Sequence, residues 1–80
     1  MRDMDATVDF HGATVRLEDE YLTARKMMGT KGTDLDQLHS TVTHLYLNIE
    51  DDGWAVQYRA LMQEIEYRSR MLTMLELGLS

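Results

Sequence analysis

From residue 6 the chain alternates. Ala6-Thr7-Val8-Asp9-Phe10 and Ala13-Thr14-Val15-Arg16-Leu17 place an apolar side chain at every second position, with His11-Gly12 between them. Period-two alternation marks a strand with one buried face. A two-residue loop joining such strands needs positive φ at its centre, which glycine adopts freely and histidine tolerates better than most residues. Pairing Phe10 with Ala13 sets Val8 opposite Val15 and Ala6 opposite Leu17. All six apolar residues then share one face, while Thr7, Asp9, Thr14 and Arg16 share the other. A slip of one residue would lose the match. The pattern predicts a β-hairpin over residues 6–17.

After the hairpin the period changes to three or four. Glu18-Asp19-Glu20 puts carboxylates where the first turn of a helix is partially positive. Leu17, Tyr21, Ala24 and Met28 follow at helical spacing as far as Gly29, a C-cap residue. This predicts a helix over 18–28 and a turn over 29–32. Thr33-Asp34-Leu35-Asp36 reads as a hydroxyl N-cap with an acid three residues on. Leu35, Leu38, Val42, Leu45 and Ile49 then step by three and four through a helix over 33–50, the seam of a helix packed lengthwise on another. Glu50-Asp51-Asp52-Gly53 ends that helix. A third helix over 54–77 carries Trp54, Tyr58, Leu61, Ile65, Leu72, Leu75 and Leu79 on one stripe, interrupted by Arg68. Glu64/Arg68 and Glu66/Arg70 are i,i+4 pairs with the acid first, the favourable order. The expected fold is α+β and mostly helical: an N-terminal β-hairpin followed by three helices (ββααα), helices two and three forming an antiparallel hairpin, in one domain over 1–80.

Eighty residues fold with roughly 60–65% of the extended chain's surface buried, a thin margin unless something adds to it. The chain has no cysteine, so neither disulfides nor thiolate metal sites can help. Oligomerisation or a permanent partner remains. Fourteen acids against eight bases give a net charge of −6. Direct nucleic-acid binding needs the opposite sign, whereas an acidic protein is attracted to basic surfaces. No apolar run approaches the length of a membrane span, and the acid-rich start is no secretory signal. A cytoplasmic protein is expected, with neither membrane nor nucleic acid as a direct partner.

The residues that could carry chemistry do not assemble into a motif. Asn48, Glu50, Asp52 and Gly53 imitate the first half of a calcium loop, but the twelfth position is Arg59 where a bidentate glutamate is needed. His39 and His44 are five apart, about 140° around a helix, which is wrong for a zinc pair. No serine or threonine has the glycine-flanked setting of a nucleophile elbow, and Gly29 and Gly32 are too sparse for a phosphate loop. The expectation is a protein with no catalytic residue, no metal and no cofactor.

Two features exceed what a small core requires. Seven methionines occur in the chain, and Met71 and Met74 join Tyr67 on a second stripe of the third helix. With Leu75 beside them, the C-terminal segment is apolar nearly all round, so Tyr67, Met71, Met74 and Leu75 are candidates for an apolar partner contact. The acids come in clusters, Asp3/Asp5/Asp9, Glu18–Glu20, Asp34/Asp36 and Glu50/Asp51/Asp52. Asp34, Asp36, Glu50, Asp51 and Asp52 are the candidate acidic contacts, able to imitate a row of phosphates if the fold gathers them.

In size and charge alone the chain resembles the small inhibitors encoded by bacteriophages and mobile elements, of which anti-CRISPR proteins are the best-known group. The resemblance implies a non-enzymatic inhibitor, working in the host cytoplasm, that docks on the basic surface of a nucleic-acid-handling machine, with DNA mimicry as one route. It transfers no functional residue. A homodimeric helical assembly or adaptor protein is the alternative, its third helix packed against a second copy. A small transcriptional regulator comes third because the charge opposes it.

Overall fold

A computed structural model describes residues 4–78; Asp3 and Leu79 lie outside the described residues. The alternating segments pair as β1 (Thr7–Phe10) and β2 (Ala13–Arg16), antiparallel, with Val8 opposite Val15 and Phe10 opposite Ala13. The Leu17 N–H donates to the Ala6 carbonyl at 3.0 Å, which extends the ladder to the last pair. His11 and Gly12 at the tip have φ of 53° and 85°, the paired left-handed conformation that a tight hairpin requires. Val8 is buried, and Ala6, Phe10 and Val15 pack against the core. Ala13 belongs to the same face but is exposed. The tip is held on the second helix by rings: His11 stacks on His44 at 4.8 Å and Phe10 meets His44 edge-on at 5.2 Å.

Three helices follow, α1 (Leu17–Met28), α2 (Leu35–Leu47) and α3 (Asp52–Glu76). Their caps differ from the sequence expectation in three places. Asp34, and not Thr33, caps α2, its Oδ1 accepting from the N–H groups of Asp36 and Gln37 at 3.1 Å. A carboxylate caps at least as well as a hydroxyl and adds charge to the positive helix end, so it takes the position. Helix α2 ends at Leu47, and α3 begins at Asp52 with Asp51 as its cap, accepting from the Trp54 N–H at 2.9 Å. Gly53 therefore lies inside the first turn of α3. Gly29 is the C-cap of α1 as expected, in a right-handed conformation, and the left-handed glycine of this turn is Gly32, φ 91°.

The core forms where the three helices meet. Trp54, Tyr58, Leu61 and Ile65 of α3 are buried against Leu35, Leu38, Val42 and Leu45 of α2 and Leu17, Ala24 and Met28 of α1. Helix α2 runs antiparallel to α3, tied by Asp36 to Ser69, His39 to Glu66 and Tyr46 to Arg59. Helix α1 runs parallel to α3, with Tyr21 against Gln57 and Arg25 against Glu64. At its start the Tyr58 hydroxyl donates to the Leu17 carbonyl at 2.7 Å, both groups being buried. Tyr21, Trp54 and Tyr58 form an aromatic cluster with centroids 5.6–6.1 Å apart.

The apolar stripe predicted along all of α3 is buried only as far as Ile65. Leu72 and Leu75 are exposed, because α2 begins at Leu35, whose neighbour Asp36 already lies beside Ser69. With 25 residues against 13, α3 outruns its partner and gives the molecule its length, 43 × 24 × 18 Å.

Truncating Val42 or Ile65 to alanine, both fully buried, is expected to cost about 1–4 kcal/mol in urea unfolding; a cost under about half a kcal/mol would remove these residues from the core. Burial raises the Tyr58 phenol well above its usual range, and Glu20 and then Tyr21 add to the effect. A raised pKa in the folded state means stability that is intact below the unfolded pKa, about 10, and lost as pH climbs beyond it. Unfolding midpoints are expected to fall above about pH 10 in the native chain. Tyr58→Phe removes this part of the alkaline loss and costs about 1–3 kcal/mol at neutral pH, since the Leu17 carbonyl is left unpaired.

Candidate interaction surface

At 100° per residue, Val56, Ala60, Gln63, Tyr67, Met71 and Met74 all fall within about 40° of Tyr67 around the axis of α3. The buried residues Trp54, Tyr58, Leu61 and Ile65 lie roughly opposite, about 150° away. Helix α1 touches α3 on one flank, through Gln57 and Glu64, and α2 on the other, through Arg59, Glu66 and Ser69. Neither covers the outer face between them. Val56 is 63% exposed, Tyr67 59%, Met71 42% and Met74 41%, with Leu75 at the edge of the face at 60%.

The structure thus brings Tyr67, Met71 and Met74 onto one open face with Leu75 at its margin. Sequence reading missed the other half of that face. Val56, Ala60, Gln63 and Tyr67 step by four, three and four, a legible spacing, but two small or polar members hide it beside the stronger core stripe. Beyond Ile65 the exposed surface widens onto Leu72 and meets the turn after α1. Met28, Leu35, Tyr67, Met71 and Leu72 line an open groove there of about 350 Å³, with Lys31 and Arg68 at its sides. Arg68 is held to Glu64 at 3.6 Å; Lys31 has no ion pair among the described residues.

The acidic candidates do not form one surface. Asp34 and Asp36 stand at one end of α2 and Glu50, Asp51 and Asp52 at the other, roughly 20 Å apart along 13 residues of helix. Asp34 and Asp51 are occupied as caps, and Asp36 accepts from the Ser69 hydroxyl at 3.3 Å. Glu50 and Asp52 are exposed with no ion pair among the described residues.

The charge is nevertheless sorted along the molecule. The end holding the last turns of α1, the start of α2 and α3 from Glu64 onward has five cations, Arg25, Lys26, Lys31, Arg68 and Arg70. Five carboxylates stand with them, Asp34, Asp36, Glu64, Glu66 and Glu76, for a net charge of zero. Among the described residues the other end has Arg16 and Arg59 against eight carboxylates, Asp5, Asp9, Glu18–Glu20 and Glu50–Asp52, a net −6. Two ion pairs of Arg16, with Glu18 at 3.5 Å and Asp19 at 3.9 Å, offset only part of this. One pole is acidic, and the other is neutral and apolar.

A polar cleft of about 310 Å³ lies between α2 and α3, lined by Asp36, His39, Glu66, Ser69 and Arg70 around Ile65. Apart from Arg70, its polar groups are engaged with neighbours. The His39 Nε2 meets Glu66 at 2.9 Å, its Nδ1 faces the Thr43 hydroxyl at 3.5 Å, and Ser69 is turned to Asp36. Ser69 is therefore directed to a carboxylate and not to the imidazole. Among the described residues no three His, Cys, Asp or Glu side chains are arranged to hold a metal ion, and no helix is long and apolar enough to cross a membrane. Comparison of the chain with protein-family models, with curated proteins and with solved structures returns no match.

Proposed function

We propose that the protein is a non-enzymatic inhibitor of the kind phages and mobile elements encode, acting in the host cytoplasm by docking its acidic pole on the basic surface of a nucleic-acid-handling protein. The observation that carries this reading is the charge partition. A net −6 concentrated on half of a 43 Å molecule steers association with a positive groove far better than the same charge spread evenly. Glu50 on the turn between α2 and α3 and Asp52 at the first position of α3 are exposed carboxylates of that pole with no ion pair among the described residues. Asp51 acts indirectly, by fixing the start of α3. Asp34 and Asp36, at the neutral pole, take part only in a partner large enough to reach both ends. A second reading, a homodimeric helical assembly protein, is favoured by the exposed outer face of α3.

Capture from a bacterial lysate followed by mass spectrometry separates these readings. The native chain is expected to retain a nucleic-acid-binding protein at an ionic strength of about 0.1 M and release it well before 1 M, where screening is nearly complete. Asp9→Asn/Glu50→Gln/Asp52→Asn spares every cap and ion pair, and is expected to lower capture at least about tenfold with circular dichroism unchanged, roughly 1.4 kcal/mol of lost electrostatic attraction. Equal capture by both proteins, or capture indifferent to salt, would rule out the acidic pole as the docking surface.

A further inference from the structure

We infer that the outer face of α3 is the contact for a second copy of this chain, with the two α3 helices packed side by side and antiparallel along most of their length. The inference does not need the inhibitor reading, since it rests on the outer face of α3 and on the charge partition itself and not on what the acidic pole docks with. It starts from the spacing: Val56, Ala60, Gln63, Tyr67, Met71 and Met74 advance by threes and fours, the pattern of a helix that meets another helix lengthwise. No seam residue is buried in the core: Val56, Ala60, Gln63 and Met74 are exposed, and Tyr67 and Met71 border the open groove beside Met28 and Leu35. Exposed Tyr67, Met71 and Met74 supply the anchors, and Ala60 and Gln63 let the helix axes approach near the middle.

The charge partition selects the occupant and its direction. A contact between two copies must be self-complementary, so a patch of net zero with both signs present is suited to it, and a patch of net −6 is not. Parallel helices at an axial separation of about 8–10 Å would set the two acidic poles side by side, within about one Debye length. Antiparallel helices set each acidic pole beside the neutral pole of the other copy. There the cations Lys26, Lys31 and Arg70, which have no ion pair among the described residues, face toward negative charge. Contact through the tip of α3 alone would engage about six large side chains and leave Val56, Ala60 and Gln63 uncovered, whereas a lengthwise contact covers both sets. Matching Val56 to Met74 and Gln63 to Tyr67 of the second copy aligns the whole seam and centres the twofold axis near residue 65.

The chain has no cysteine, so one introduced thiol can be labelled uniquely. Sedimentation of the native protein at about 100 µM is expected to give a dimer; a monomer overturns the inference. Val56→Glu lies far from the α3 tip and on an exposed position. It is expected to weaken dimerisation at least about tenfold with helix content unchanged, as is Tyr67→Glu. A dimer weakened by Tyr67→Glu but indifferent to Val56→Glu overturns the lengthwise contact. A nitroxide on Asp52→Cys reads the direction by pulsed electron resonance. The aligned antiparallel seam places the two labels about 40 Å apart, at 1.5 Å per residue. A separation of about 15 Å would mean parallel helices, and about 60 Å contact at the tips only; either overturns the arrangement. Retention or loss of lysate capture by Val56→Glu leaves this result unaffected, so the two proposals fail separately.

Discussion

Every other element takes its place from the stripe Trp54, Tyr58, Leu61 and Ile65 on one side of α3. It is about three turns long, and it is the surface on which α2 lies antiparallel and α1 parallel, while the hairpin closes on those two helices. Tyr58 sits at the centre of this arrangement because it does two things at once. Its ring packs in the aromatic cluster, and its hydroxyl satisfies the carbonyl of Leu17, where β2 turns directly into α1. Strand and helix meet there without a linker, and two hydrogen bonds hold the junction, the Leu17 N–H to Ala6 and the Tyr58 hydroxyl to the Leu17 carbonyl. An eighty-residue chain without disulfides has little stability to spare, and a buried donor and acceptor matched in this way avoid the cost of leaving either unpaired.

The hairpin was readable because two constraints agree. The alternation allows only one register, and His11-Gly12 allows only one loop. Helix α2 was readable along its middle for the same reason: Leu38, Val42 and Leu45 have to face one neighbour. Helix ends were less legible. Thr33 and Asp34 are adjacent and both can cap, and periodicity cannot choose between neighbours that lie outside it. Gly53 invited a break between helices, yet the Asp51 carboxylate nucleates α3 two residues earlier, which local composition does not weigh.

The exposed end of α3 shows a different limit. Leu72 lies on the same side of the helix as Ile65, and by pattern alone both belong to the core. Whether a residue on that side is covered depends on how far the neighbouring helix reaches, a property of α2 and its turn and not of α3. The same dependence hid Val56, Ala60 and Gln63, whose weak stripe becomes meaningful only when both flanks of α3 are seen to be occupied and the outer face empty. The acidic clusters were read one by one, and their sorting onto one pole needed the directions of the three helices.

The two faces of α3 share a backbone but have no side chain in common. Trp54, Tyr58, Leu61 and Ile65 answer to the interior, where a lost methylene is felt at once. Val56, Gln63, Tyr67 and Met74 are exposed and belong to no part of the buried core, and surface changes away from the core cost little stability. Variation on the outer face can therefore accumulate without the fold registering it, and a lineage of such chains is free to exchange one contact for another. Identity of fold would persist while identity of partner drifts, the scaffold acting as inheritance and the outer face as the part open to invention.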